Sequence, residues 1–284
     1  MTITMSNLFF DFAFIDHTLD DSDFEFRCRL DNGRHLVQPK ESLGQLDILP
    51  PELISQIFLL LDIPTLTALR RVNHRTMNLI DSLPQYRVIF ELCPNVLRAI
   101  ICVEATFFDC RTLYQTLSTS KCETCRRFGM FLYLITCRRV CCFCFYKYYA
   151  MSVIEATEHL LVSEVDLLRL PLPRISTRHP WDCGLLFDRD AVYKTVLDPS
   201  FTLSLVEYED FDEATRRLTF ISAPYLNSTN QLAEWGHYCR QCDNCDELSE
   251  SFAIENTVVR ETKGQYDGWG VKHVTVCGEN NQST

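Results

Sequence analysis

Residues 121–145 read KCETCRRFGMFLYLITCRRVCCFCF. Cys122-x2-Cys125 and Cys141-x2-Cys144 are separated by fifteen residues, the spacing of a four-thiolate zinc site. Two residues between cysteines let a tight turn aim both sulfurs at one ion, and two such turns complete a tetrahedron. The alternative is two reduced, buried pairs without metal. The flanks favour zinc. Phe128 to Ile135 is apolar, aromatic and β-branched, and reads as strand. Residues 145–161 read as helix. Turn, hairpin, turn and helix resemble a treble-clef finger, with the second pair at the helix N-terminus, where the dipole favours thiolate. Cys137 and Cys142 are spare and read as small hydrophobes.

Bulk properties narrow the classes outward from there. A chain of 284 residues can bury one large core or two smaller ones. A net charge of −11 argues against non-specific nucleic-acid binding through the whole surface. Fifteen cysteines would need a secretory signal to be a disulfide framework. The N-terminus, MTITMSNLFFDFAFIDHTLDDSD, has no basic n-region and turns acidic. No run approaches the roughly 20 apolar residues of a membrane span. The expectation is a soluble protein of a reducing compartment, cytoplasmic or nuclear, with no membrane partner.

Residues 46–83, LDILPPELISQIFLLLDIPTLTALRRVNHRTMNLIDSL, hold the second informative pattern. Pro50 and Pro51 open a helix. Leu53, Ile54, Ile57, Phe58, Leu60 and Leu61 then cover an apolar arc wider than one small core needs. One side can pack internally while the other meets a partner. Asp62 reads as an N-cap before a second helix that runs to about Val72, and Arg75 to Ser82 reads as a third. Helices are expected again over Gln85–Leu92, Asn95–Val103 and Thr112–Leu117.

Leu49-Pro50-x-Glu52-Leu53-Ile54, then Ile57, Leu61-Asp62, Leu66, Leu69 and Val72 resemble an F-box. That resemblance implies a three-helix module docking on the Skp-type adaptor of a cullin–RING (SCF) ubiquitin ligase. Its adaptor-facing residues would be Leu49, Pro50, Leu53, Ile54, Ile57 and Leu61. Over residues 46–145 the chain is similar to a group of fungal F-box proteins that carry a cysteine knuckle directly after the box.

Around the knuckle, Lys121, Arg126, Arg127, Arg138, Arg139 and Lys147 interleave with Phe128, Phe131, Tyr133, Phe143 and Tyr146. Such a face could bind single-stranded nucleic acid or an acidic peptide. Alternatively the rings are the core of a small domain and the arginines its solvated side.

Beyond the knuckle, Ser163-x-x-Asp166 reads as a capping box and Asp188–Leu197 as a helix. The proline-rich stretch 171–182 reads as irregular and as a boundary. A second cysteine group follows in WGHYCRQCDNC and VKHVTVC. Cys239-x2-Cys242 and Cys242-x2-Cys245 are alternative knuckles, and His273-x3-Cys277 has one-turn spacing. The resemblance of YCRQC and the later His-x3-Cys to the family's tail implies the set Cys239, Cys242, His273 and Cys277, with Cys245 and His237 as substitutes.

No G-x-S-x-G, Walker loop, H-E-x-x-H or Gly-rich dinucleotide turn is present, and no catalytic residue is assigned. Four cysteines make a closed, structural zinc site. The expected fold class is α+β, mainly α: a three-helix F-box followed by a zinc-stabilised, treble-clef-like hairpin/helix body. The expected divisions are 1–44, weakly ordered; 45–84, the F-box; 85–170, helices plus zinc knuckle; and 171–284, a C-terminal region with a possible second zinc. The expected function is non-catalytic recruitment of a protein substrate to an SCF ligase. The alternative is a zinc-finger nucleic-acid-binding or regulatory protein.

Overall fold

Prolines and short polar caps punctuate the first half of the chain in the computed structural model. It describes Leu19 and residues 28–30, 42–145, 147–160, 162–179, 182–196, 218–227 and 232–234, without the side chains of 142, 143 and 177–183. The chain divides into two compact units, Met1–Trp235 and Gly236–Thr284, and every described residue belongs to the first.

A 3-10 turn, Gly44–Ile48, leads into six helices: α1 (Pro51–Leu59), α2 (Ile63–Arg70), α3 (His74–Ser82), α4 (Pro84–Leu92), α5 (Pro94–Cys102) and α6 (Cys110–Leu117). Pro51, Pro84 and Pro94 occupy first helical positions, where the missing N–H costs nothing. The other starts are capped by side chains. Asp62, Asn73 and Asp109 each accept from the backbone N–H three residues on, at 2.8, 2.8 and 2.7 Å. Arg70 fastens the bundle. It pairs with Asp81 of α3 at 2.6 Å and lies 5.6 Å from the Phe90 ring centroid of α4.

The helices continue into the cysteine region without a break in packing. Strands β1 (Phe131–Tyr133) and β2 (Arg138–Val140) form an antiparallel hairpin in which Leu132 faces Arg139. On its other edge β1 pairs with β6 (Phe220–Ser222). Helix α6 packs on β2, and α5 packs on β6. Phe131, Tyr133, Phe145 and Phe220 form an aromatic core here, with centroid separations of 4.4 to 5.1 Å for Phe145–Phe220, Tyr133–Phe220 and Phe131–Phe145.

The helix expected over 145–161 begins later. A four-residue helix α7 (Cys142–Phe145) is followed by strand β3 (Ala150–Ser152) and helix α8 (Val153–Leu160). The cause is a capping box at Ser152-x-x-Glu155. Glu155 N donates to Ser152 Oγ at 3.2 Å, and Ser152 N donates to Glu155 Oε2 at 2.6 Å. The strand expected over 128–135 is likewise shorter, with only an isolated bridge between Lys121 and Phe128 before it.

Helix α9 (Glu164–Arg169) starts at the expected cap, where Asp166 N donates to Ser163 Oγ at 3.2 Å. The stretch expected to be irregular instead carries strand β4 (Arg174–His179) and the start of β5 (Asp182–Asp188). Its prolines stand before and after β4, so the ladder keeps its donors. With β3 they form a sheet of order β3-β5-β4. Met151, Ala156, Leu167, Leu172, Phe187, Val192 and Tyr193 make one core across position 170. Helix α10 (Arg189–Val196) is capped by Asp188, and the hairpin β7 (Tyr225–Asn227) and β8 (Leu232–Glu234) follows β6. Ser176 N of β4 donates to the Val103 carbonyl after α5 at 2.8 Å. Among the described residues, no helix is long and apolar enough to cross a membrane.

Most of 1–44 lies outside the described residues, but the described positions are held. Leu19 N donates to Phe220 O at 2.7 Å, and Arg70 donates to Leu30 O at 3.2 Å. The expected C-terminal ligands Cys239, Cys242, His273 and Cys277, with Cys245 and His237, also lie outside them.

Candidate functional sites: a four-cysteine centre and an exposed apolar face

Cys122, Cys125, Cys141 and Cys144 converge, with all four Sγ atoms within 4.8 Å of one another. The sulfurs of Cys125 and Cys141 stand 3.3 Å apart. Sulfurs bound to one zinc at ~2.3 Å in a tetrahedron would stand about 3.8 Å apart. The cluster therefore needs separations to change by no more than about 1 Å to hold that ion. Neither histidine nor carboxylate belongs to the group, so the donor set is that of a closed site.

Local backbone geometry builds each half. In the first turn Arg126 N donates to Cys122 O at 3.0 Å, and Arg126 adopts the left-handed conformation, φ 67°. In the second, Cys144 N and Phe145 N both donate to Cys141 O, at 3.1 and 2.9 Å. Burial alone would raise the Cys122 thiol, but amides of Cys125, Cys141 and Thr124 donate to its sulfur and bring it below its ordinary value. Burial pushes the Cys141 thiol up strongly and Cys144 to about 11. The metal-free cluster thus retains protons that metal binding would displace.

Arg139 supports this centre from the interior and is not part of the expected basic surface. It is 2% exposed. Its guanidinium donates to the carbonyls of Thr116, Leu117, Gly129, Ala223 and Pro224. Two of those acceptors end α6, where a cation also suits the helix dipole. Burial lowers the Arg139 pKa to about 10, so the group stays charged at neutral pH. Gly129 makes room for it, since a Cβ there would collide with Arg139 Cγ. The only sequence signal for this role was position. Arg139 sits beside Val140 on a strand whose hairpin partner is wholly buried.

The remaining basic residues divide. Lys121, Arg126, Arg127 and Lys147 are exposed, while Arg138 is half-buried, with Glu123 at 3.6 Å. Phe131 and Tyr133 are buried and present no ring to a base.

The second site lies on α1. Leu53, Ile57 and Leu60 are 45%, 41% and 56% exposed, although large and apolar. Their spacing of four and three residues puts them on one face. Leu46, Ile48 and Pro50 are exposed just before it, and Leu49 and Leu61 are half-buried. Ile54, expected on the same face, is 5% exposed and turns inward with Phe58 and Leu59. A step of one residue rotates the side chain about 100° round the helix, which takes Ile54 off the Leu53–Ile57 row.

Residues 46–88 match the F-box domain family. No curated protein and no solved structure matches the chain. The matched residues include α1, α2 and α3, most of α4 and the exposed row.

Proposed function

We propose that this protein is a non-catalytic, substrate-recruiting subunit of an SCF-type (cullin–RING) ubiquitin ligase. The observation that carries this is the F-box match over 46–88 together with the apolar row Leu53–Ile57–Leu60 left exposed on its first helix. Rows of large apolar side chains on a folded surface mark interaction sites. A Skp-type adaptor would dock there, against Leu53 and Ile57, with Leu49, Pro50 and Leu61 at the margin. Ile54 would support the row from inside the bundle.

The four-cysteine centre would hold one structural Zn2+ through Cys122, Cys125, Cys141 and Cys144. Zinc there would fix two turns and so the hairpin on which α6 rests. Because α5 and α6 pack directly on the strands of this region, the F-box and the metal centre would move as one body. The centre would act as a rigid joint presenting a recognition surface for a protein substrate. A second zinc at the C-terminal set would raise the metal content toward two. The site of action would be cytoplasmic or nuclear.

The nucleic-acid alternative loses support, because Phe131, Tyr133 and Arg139 of its expected face are core residues. The test is affinity purification of the tagged chain from its native cells, with identification of partners. Recovery of a Skp-type adaptor and a cullin is expected. Their consistent absence, with nucleic acid recovered instead, would overturn the proposal.

A further inference from the structure

Cys28 and Cys102 belong neither to the metal cluster nor to the docking face. Cys102 is the last residue of α5, and its thiol hydrogen-bonds to the Cys28 sulfur. Both residues are partly exposed. The backbone at Cys28 is held in place, because Arg98 Nε donates to its carbonyl at 3.1 Å. Arg98 and Arg71 also bring positive charge to bear on the sulfur. We propose that Cys28 and Cys102 form a peroxide-responsive dithiol, in which Cys28 is the site of oxidation and Cys102 the thiol that resolves it to a disulfide.

The two sulfurs lie in different fields. The hydrogen bond from Cys102, opposed by burial and aided by the two guanidiniums, brings Cys28 down to about 7. Cys102 is the donor of that hydrogen bond and so carries the shared proton. Cys28 is therefore the nucleophile. Its thiolate attacks one oxygen of hydrogen peroxide, the O–O bond breaks, and hydroxide leaves Cys28 as a sulfenic acid. The Cys102 sulfur then attacks Cys28. An S–S bond forms, the S–O bond breaks, and the hydroxyl leaves as water with the Cys102 proton. In sum, two thiols are oxidised and one peroxide is reduced to two waters.

The chain carries its own reference thiols. Burial pushes Cys93, Cys110 and Cys137 up to about 12, which keeps them as unreactive thiols. The disulfide would tie position 28 to the end of α5 and so bracket the whole F-box match. None of this depends on ligase assembly.

The test uses the full chain, reduced and zinc-loaded, exposed to graded hydrogen peroxide. The reaction is quenched by alkylation in denaturant, then mapped by mass spectrometry without reduction. A Cys28–Cys102 linked peptide is expected at doses that leave Cys93 and Cys110 reduced. Cys102→Ser should stop at a Cys28 sulfenic acid that dimedone traps, and Cys28→Ser should leave Cys102 as a free thiol. The inference is overturned if Cys28 stays reduced while other thiols oxidise, or if it ends in any other pairing.

Discussion

Replacing Arg139 by methionine keeps a flexible stem of similar reach and deletes the guanidinium. The five N–H donors of that group all have carbonyl acceptors, including Thr116 at 3.2 Å, Ala223 at 3.1 Å and Leu117 at 3.3 Å. Each buried acceptor left without a donor costs about 1–3 kcal/mol. Opposing this, the variant no longer buries a charge, which is worth several kcal/mol. Thr116 O keeps the Thr119 N–H at 3.2 Å, so four acceptors are left, and their cost less the gain from not burying a charge should leave a net loss of about 3–5 kcal/mol. That is a large share of the ~5–15 kcal/mol that stabilises a typical domain. Arg139→Lys keeps the charge but offers three donors to five acceptors, and should fall between methionine and the natural residue. Urea unfolding followed by circular dichroism, with zinc present, reads this directly. At an m-value of about 1–3 kcal/mol/M, the methionine variant should unfold at least about 1 M earlier. A midpoint within a few tenths molar of the natural protein would show that the carbonyl cage is not held by Arg139, and the reasoning would fail.

Other consequences can be checked separately. Gly129→Ala should cost about 1–3 kcal/mol by overpacking against Arg139 and by bringing a methyl within 3.3 Å of Cys122 N; unchanged stability would contradict that close approach. Cys141→Ser should abolish stoichiometric zinc by elemental analysis and lower the unfolding midpoint, whereas full zinc retention would remove the site as drawn. Burial raises the Asp188 carboxyl above its ordinary 3.8, so the folded protein binds that proton more tightly than the unfolded chain. Its contribution is full below 3.8 and is lost as pH rises through the folded value. Asp188→Asn keeps an oxygen for Ala191 N, now 2.8 Å from Asp188 Oδ1, and should gain stability relative to the natural protein as pH rises from about 3 to 7. A gap independent of pH would contradict this.

The elements written in local chemistry were legible in the sequence. Pro51 starts a helix, Asp62 caps one, and the two Cys-x2-Cys pairs meet in space. What local chemistry does not encode was missed. Arg139 looks like any surface arginine until Gly129, the end of α6 and residues 223–224 surround it, and those partners are distant in sequence. Strand β4 is hidden in the sequence because flanking prolines read as irregular chain, whereas in the fold they only bound the ladder. The start of α8 was in fact legible. Ser152 and Glu155 have capping-box spacing, but the apolar run before them drew the helix back toward Cys144. On α1, the wide apolar arc was visible, but which side faced inward was not. That depended on α3 and α6, against which α1 packs.

Docking through α1 is tested most directly by binding in solution with purified components. The full chain and a Skp-type adaptor would be mixed and their affinity measured by calorimetry, alongside the double variant Leu53→Asp with Ile57→Asp. Both positions are exposed in the free protein, so the variant should keep its circular dichroism spectrum and its zinc. The account predicts a one-to-one complex for the natural chain and no measurable binding for the folded double variant. A folded double variant that binds with undiminished affinity, or a natural chain that does not bind at all, would contradict it.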